Sequence, residues 1–140
     1  MCLVLKRRQD FKRRINDRDE PIVVYKVFVE SIDGLLQTPI VQADVPIDVV
    51  KGSNPFKAEG NESVRKIYDD GTLAIREGFV HCYLNINDAI RDFRGFTIYY
   101  GTLCIYRCEL RKGVEYYRDS VYGGIAAKEI WIDRLECYIG

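Results

Sequence analysis

The sequence predicts an α+β domain dominated by antiparallel β-sheet, on three observations. Short runs of β-branched and aromatic residues recur along most of the chain, each too short for a free-standing helix. Asp-Gly pairs at 33–34 and 70–71 separate neighbouring runs, as turns do in β-hairpins. A secure amphipathic helix is predicted at residues 85–94. We therefore expect a basic N-terminal arm at residues 1–20 and a single β-rich domain at residues 21–140.

The N-terminal arm is strongly basic. Residues 1–18 hold seven basic and two acidic side chains, a local charge of +5 in a chain that is neutral as a whole. Val4, Phe11 and Ile15 fall on one face of a helical projection, which favours a short amphipathic helix. The alternative is a solvated or docked arm, since charge runs usually face solvent. The arm is also the candidate contact for nucleic acid or an anionic surface.

Residues 22–29 give the strongest strand signal in the chain. Four apolar side chains alternate on one face of this run, and Lys26 interrupts the apolar character of the other face. The Asp-Gly turn at 33–34 then predicts that residues 35–42 return antiparallel to the first strand.

The region that follows is the least regular part of the sequence. Residues 43–62 are rich in Pro, Gly and Asn, so we predict a long loop with at most one short strand, at 47–50. Loops of this length inside compact domains are often functional. Residues 64–68 and 72–76 then predict a second hairpin.

The central stretch has the clearest local pattern, strand, helix, strand. Residues 79–84 are apolar or aromatic and predict a strand, and Asn85 is placed to cap a helix that ends at Gly95. Residues 96–110 predict a longer strand, buried on both faces in its first half and on one face in its second.

The C-terminal part predicts further strands. Its tyrosine-rich segment, residues 114–124, is a candidate protein-interaction patch formed by Tyr116, Tyr117 and Tyr122. Residues 126–132 and 135–139 predict two short strands on either side of a turn. A protein partner or a homo-oligomer would fit such aromatic, edge-rich strands.

Composition excludes several classes of function. The chain has no dinucleotide fingerprint, phosphate loop, nucleophile elbow or zincin motif. Its five cysteines are odd in number and lie in apolar runs, which favours reduced core thiols and no metal site. No apolar run approaches the roughly 20 residues that span a bilayer, so we expect a cytoplasmic protein.

The sequence resembles a set of small uncharacterised bacterial and phage proteins, in which a Gly-Phe-His strand precedes a helix with Asp-Ala. The matching residues are Tyr-Lys-Val at 25–27, Asp-Gly-Leu at 33–35, Gly-Phe-Val-His-Cys at 78–82 and Asn-Asp-Ala-Ile at 87–90. Here Val80 is inserted between the Phe and the His. This resemblance implies a bacterial or mobile-element origin and no particular activity.

A second resemblance is to the ADP-ribosyltransferase fold. Gly-Phe-Val-His-Cys-Tyr at 78–83, with the helix that follows, is similar to the family's second element. Lys-Glu-Ile-Trp-Ile-Asp at 128–133 is similar to its third, the segment that begins with a glutamate.

This second resemblance implies an NAD site with named residues. Glu129 would hold a ribose hydroxyl and stabilise the oxocarbenium ion as nicotinamide leaves, with His81 nearby. Tyr83 and Phe93 would stack on the nicotinamide. Lys26 stands where the family has its NAD-binding His or Arg, and a lysine lacks their planar recognition geometry.

Two functions follow from these observations. The first is a small non-enzymatic binding or interaction module that needs no cofactor. The alternative is an ADP-ribosyltransferase-like domain that binds NAD. A lone histidine on a strand and a glutamate on a half-exposed strand are both common structural residues, which favours the binding module.

Overall fold

The computed structural model describes residues 3–40, 42–66, 71–96, 98 and 100–139. In that part of the chain there are twelve strands, two α-helices and one 3-10 turn, at Arg8–Asp10. The strands are β1 (Leu3–Leu5), β2 (Arg14–Ile15), β3 (Ile22–Ser31), β4 (Leu36–Gln37), β5 (Phe56–Lys57), β6 (Val64–Lys66), β7 (Leu73–Ile75), β8 (Val80–Tyr83), β9 (Gly101–Leu110), β10 (Glu115–Arg118), β11 (Gly124–Ala127) and β12 (Glu129–Ile139). The helices are α1 (Ile47–Val50) and α2 (Ile86–Phe93). Neither helix is long and apolar enough to cross a membrane.

Most strands belong to one antiparallel sheet. Its order is β2-β10-β11-β8-β3-β9-β12-β5, and β4 adds to β3 off this path. Strands β3 and β9 are the best paired, in register from Ile22 opposite Leu110 to Ser31 opposite Gly101. The expected mainly antiparallel sheet with few helices is confirmed.

The large sheet curls back towards itself. Strands β11 and β12 are four strand spacings apart in the sheet order, which would be about 19 Å in a flat sheet. Along the chain only Lys128 separates them, and the link from Ala127 to Glu129 reaches at most about 7 Å. The sheet must therefore curve, and its concave face holds one large apolar cluster. That interior cluster includes Val24, Phe28, Val80, Cys82, Cys108, Ile125 and Ile130.

Different segments cover the two faces of the sheet. Val45, Val49 and Phe56, from the irregular region around α1, pack into the interior cluster. On the outer face α2 packs through Ala89 and Phe93. A three-stranded sheet, β1-β7-β6, also packs on the outer face, against the part that contains β10 and β11.

The N-terminal arm forms strands rather than the amphipathic helix that the helical projection favours. Strand β1 pairs with β7 and β2 pairs with β10, and Leu5 is fully buried. Between them, the carboxylate of Asp10 is buried and accepts hydrogen bonds from the N–H and hydroxyl of Ser120, at 2.8 and 2.7 Å. A solvated helix would also pair most of its backbone groups but would leave Leu5 exposed, whereas pairing with β7 buries it.

Two local predictions were wrong, each for its own reason. Residues 47–50 form the single helical turn α1 and not a strand, because the N–H groups of Val49 and Val50 bond to the carbonyl of Pro46. The C-terminal strand runs unbroken through the predicted turn, since a β-bulge near Asp133 absorbs the irregularity. The two C-terminal strands, β11 and β12, are instead separated earlier, at Lys128.

Other local predictions are confirmed. The side chain of Asn85 accepts a hydrogen bond from the N–H of Asn87 at 2.9 Å, which caps α2, and Gly95 ends the helix with φ +83°. Strands β3 and β4 form the expected hairpin across Gly34. Strands β6 and β7 also pair antiparallel, although residues 67–70, which include most of the predicted turn at 69–71, lie outside the described residues.

Candidate ligand-binding cavity

A cavity of about 680 Å³ lies where β3 and β8 separate. The two strands are neighbours in the sheet, but they are in register at one residue pair, Tyr25 opposite Tyr83. Beyond that pair β3 follows β9 and β8 follows β11, so the strands diverge. Lys26 and His81 line the cavity from its two sides. The volume is typical of small-molecule sites, which span about 300–1,000 Å³.

The walls of the cavity come from both faces of the sheet. Val49, Phe56 and Val80 line its inner part and belong to the interior cluster. Tyr83 and Phe93 line its outer part and belong to the cluster under α2. The cavity therefore passes through the sheet at the gap, and the irregular region 43–62 supplies part of its wall.

Lys26 lies on the concave face of the sheet. Its neighbours on that face of β3, Val24 and Phe28, are fully buried, and its Nζ is 5.9 Å from the ring centroid of Phe28. Burial lowers the pKa of Lys26, and the nearby thiols of Cys82 and Cys108 oppose that shift. No carboxylate among the described residues forms an ion pair with it. Lys26 itself is half-buried, and an unpaired ammonium that has lost part of its hydration is costly in a folded protein.

The thiols beside Lys26, those of Cys82 and Cys108, are unreactive. Burial raises the pKa of Cys82 to about 12 and also raises the pKa of Cys108. Both are therefore protonated at neutral pH and are poor nucleophiles. The described cysteines are all free, and the described part of the chain has no cluster of three or more His, Cys, Asp or Glu residues suited to a metal ion.

His81 faces the cavity as a neutral imidazole. Its Nε2 lies 3.3 Å from the carbonyl oxygen of Arg76, to which it can donate a hydrogen bond. Burial lowers the pKa of His81 to about 4, and the positive charge of Lys26 contributes to the shift. Its hydrogen-bond partner is a carbonyl and not a carboxylate, and no acid among the described residues orients its ring.

Tyr83 and Phe93 form the aromatic part of the outer wall. Both are buried, at 7% and 3% exposure. Burial raises the pKa of Tyr83, and a hydrogen bond with Asp92 adds to the shift, so its phenol stays protonated. These rings offer apolar surface to a ligand, and one hydroxyl.

Glu129 lies outside the cavity wall. Its carboxylate is 3.7 Å from the Nζ of Lys57, its register partner across β12 and β5. Lys57 lines the cavity and Glu129 does not. Of the five residues chosen from the sequence, the structure thus brings Lys26, His81, Tyr83 and Phe93 together and leaves Glu129 apart.

Charged groups of both signs lie around the cavity. The basic ones are Lys26, Lys57 and Arg76, and the acidic ones are Asp44, Glu59 and Glu77. Sequence reasoning missed the inner-wall residues Val49 and Phe56. The signal that could have found them was their apolar side chains, in a region that is otherwise rich in turn residues.

The tyrosine-rich segment does not form one exposed patch. Tyr117 is buried at 6% exposure, whereas Tyr122 is exposed at 51% and Tyr116 is intermediate. Tyr116 and Tyr117 are consecutive residues of β10, so they point to opposite faces of the sheet.

The basic arm is partly neutralised by contacts with the rest of the chain. Arg13 makes ion pairs with Glu62 at 2.6 Å and Glu115 at 2.9 Å. Its guanidinium also lies 5.4 Å from the ring centroids of Phe79 and Tyr117. This residue therefore holds the arm in place.

Comparisons of the chain with protein-family models, with curated proteins and with solved structures find no match. The cavity is therefore interpreted from its own residues.

Proposed function

We propose that the chain is a small, non-enzymatic binding module whose ligand occupies the cavity between β3 and β8. The observation that carries this proposal is the separation of two central strands around a space of about 680 Å³. A gap of this size inside a sheet loses dispersion contacts and backbone pairing, which lowers the stability of the fold. A ligand that fills the gap would explain why it is kept.

The chemistry of the walls supports binding rather than catalysis. Cys82 and Cys108 are protonated thiols, and His81 hydrogen-bonds to a carbonyl. A nucleophilic or acid–base reaction uses an activated nucleophile or a paired base. Apolar walls with a few polar groups are instead typical of sites that hold a ligand.

The cellular setting belongs to the same proposal. The resemblance at residues 78–82 and 87–90 supports a bacterial or mobile-element origin. The free thiols of the described residues fit a reducing compartment, which supports a cytoplasmic location.

Binding of an uncharged apolar dye tests the proposal. We expect N-phenyl-1-naphthylamine to bind the folded wild-type protein with one site per chain, measured by fluorescence titration. Ala58 lines the cavity, so Ala58→Trp should weaken binding at least about tenfold by filling the space. The matched control is Val64→Trp, on the edge strand β6, which should bind the dye like wild type.

Circular dichroism and the melting temperature must show that both variants fold. No dye binding by wild type, or equal binding by a folded Ala58→Trp, would overturn the proposal.

An ADP-ribosyltransferase-like activity is the second candidate. It is supported by one observation, that Lys26, His81, Tyr83 and Phe93 share a cavity. A thermal-shift titration with NAD, on wild type and Glu129→Ala, separates the two candidates. A melting temperature that rises with NAD in wild type only would favour the transferase. No rise at millimolar NAD would count against it and leave the binding module.

A further inference from the structure

We propose that the ligand of this cavity is an apolar monocarboxylate whose carboxylate pairs with the ammonium of Lys26. This inference rests on the binding function proposed above, and it names the chemical class of the ligand and the residue that recognises it.

The first step is the missing counter-ion of Lys26. The residue lies between two fully buried positions of β3, Val24 and Phe28, and no carboxylate of the described residues pairs with it. Buried charges in proteins are usually paired, because the loss of hydration is otherwise uncompensated. A ligand carboxylate would supply the partner, and the hydrogen bond between two charged groups would be strong in these surroundings.

The second step is the charge that the site tolerates. A phosphate group is usually held by several donors, such as an arginine fork or a run of backbone N–H groups. Three basic residues, Lys26, Lys57 and Arg76, and three acidic ones, Asp44, Glu59 and Glu77, line the cavity. Lys57 and Arg76 are exposed, so the inner part offers one ammonium, that of the half-buried Lys26. These carboxylates oppose a multiply charged anion, so a single negative charge is the better match.

The third step is the apolar part of the ligand. Val49, Phe56 and Val80 line the inner cavity, and Tyr83 and Phe93 line the outer part. A ligand with its carboxylate at Lys26 would therefore extend an apolar body along these side chains. Each buried methylene contributes about 0.8 kcal/mol to transfer from water, so a medium-length alkyl chain is sufficient for measurable affinity.

The experiment compares three probes with the same alkyl chain, octanoate, 1-octanol and octyl phosphate. Their dissociation constants are measured by displacement of N-phenyl-1-naphthylamine from the 140-residue chain. We expect wild type to bind octanoate at least about tenfold more tightly than the other two probes. Lys26→Met, which keeps the length of the side chain and removes its charge, should remove that preference.

A matched control separates this pairing from a general effect of positive charge. Lys57 also lines the cavity, but it already pairs with Glu129. Lys57→Met should therefore leave the octanoate constant within about twofold of wild type. Equal affinity of wild type for octanoate and 1-octanol would overturn the proposed carboxylate, as would an unchanged octanoate constant in Lys26→Met.

Failure of this inference can be told apart from failure of the binding function. If the dye binds wild type and octanoate does not displace it, the ligand class is wrong and the cavity function stands. If the dye itself does not bind, the binding function is wrong.

Discussion

Tyr25 lies opposite Tyr83 in the sheet. This is the one residue pair at which β3 and β8 are in register, and both strands lie entirely within the described residues. On its other side β3 is paired with β9 along its full length. On the side away from β9, β3 pairs with β8 only at Tyr25 and with β4 only at Val29 and Glu30, so that edge is open between these pairs. That asymmetry creates the cavity and determines which residues line it.

Replacement of Lys26 by methionine should stabilise the protein in the absence of ligand. Burial lowers the pKa of Lys26 and no described carboxylate offsets the cost, so an apolar side chain of similar length suits the site better. We expect the free energy of unfolding at pH 7 to rise by about 1 kcal/mol or more, measured by urea denaturation.

The difference in unfolding free energy between Lys26→Met and wild type should depend on pH. The pKa of Lys26 is lower in the folded chain than its unfolded value of 10.5, so the folded chain releases this proton first as pH rises, and the cost of the charge falls until it disappears near pH 10.5. The advantage of Lys26→Met over wild type should shrink over that range. A destabilised Lys26→Met at pH 7 would contradict the unpaired state of Lys26.

His81 should make wild-type stability depend on mildly acidic pH. Its pKa is lowered from 6.5 to about 4 in the folded chain, so the unfolded chain takes up the proton first as pH falls. Wild type should lose about 1–2 kcal/mol between pH 6.5 and pH 4 through this group, less than the full shift implies because the ring keeps some exposure.

The measurement is the difference in unfolding free energy between wild type and His81→Gln across that window. The carboxyl of Glu62 titrates at lower pH, since its ion pairs with Arg13 and Lys128 lower its pKa to about 2. Its effect is therefore present in both proteins and cancels. A constant difference from pH 6.5 to 4 would contradict the lowered pKa of His81.

Arg13 should hold the N-terminal arm on the rest of the chain. Arg13→Ala removes ion pairs to Glu62 and Glu115 and the contacts with two aromatic rings. We expect the melting temperature to fall by several degrees and limited trypsin digestion to cut the arm sooner. Arg18→Ala is the control, because its ion pair is with an exposed neighbour, Glu20. Equal digestion rates for the two variants would contradict the role of Arg13.

Gly78 should tolerate no side chain. It has φ +77°, and a Cβ there would lie 2.7 Å from the backbone N of Glu62. Gly34 has a similar φ of +80° with open space around it, so Gly34→Ala reports the backbone strain alone. We expect Gly78→Ala to cost at least about 2 kcal/mol more than Gly34→Ala by urea denaturation. Equal costs would show that Gly78 and Glu62 are not in close contact.

Features of the fold that depend on neighbouring residues were predictable. The cap of α2 by Asn85 and the hairpin across Gly34 each depend on a few consecutive residues, and both are observed. The arm was not predictable in the same way, because its strands depend on partners such as β7 that lie about 70 residues later. A helical projection cannot detect such partners.

The residues around the cavity could be predicted only in part. Lys26, His81, Tyr83 and Phe93, which the transferase resemblance implies, line one cavity, whereas Glu129 does not, and Val49 and Phe56 were missed. Whether Lys26 faces the interior depends on the curl of the sheet, which follows from the order of β11, β8, β3, β9 and β12. Phe56 could not be placed because its position depends on the antiparallel pairing of β5 with β12, more than 70 residues later.

The order of strands also bears on when the site can form during synthesis. Every described residue that lines the cavity falls between positions 26 and 93, yet β8 is held by β11 and β3 is held by β9, which the ribosome makes later. The nascent chain therefore carries all of the wall residues before it has the strands that hold them apart. The ability to bind should appear late in translation, once residues up to about 130 have emerged and paired, because β12 also holds Phe56 in the wall.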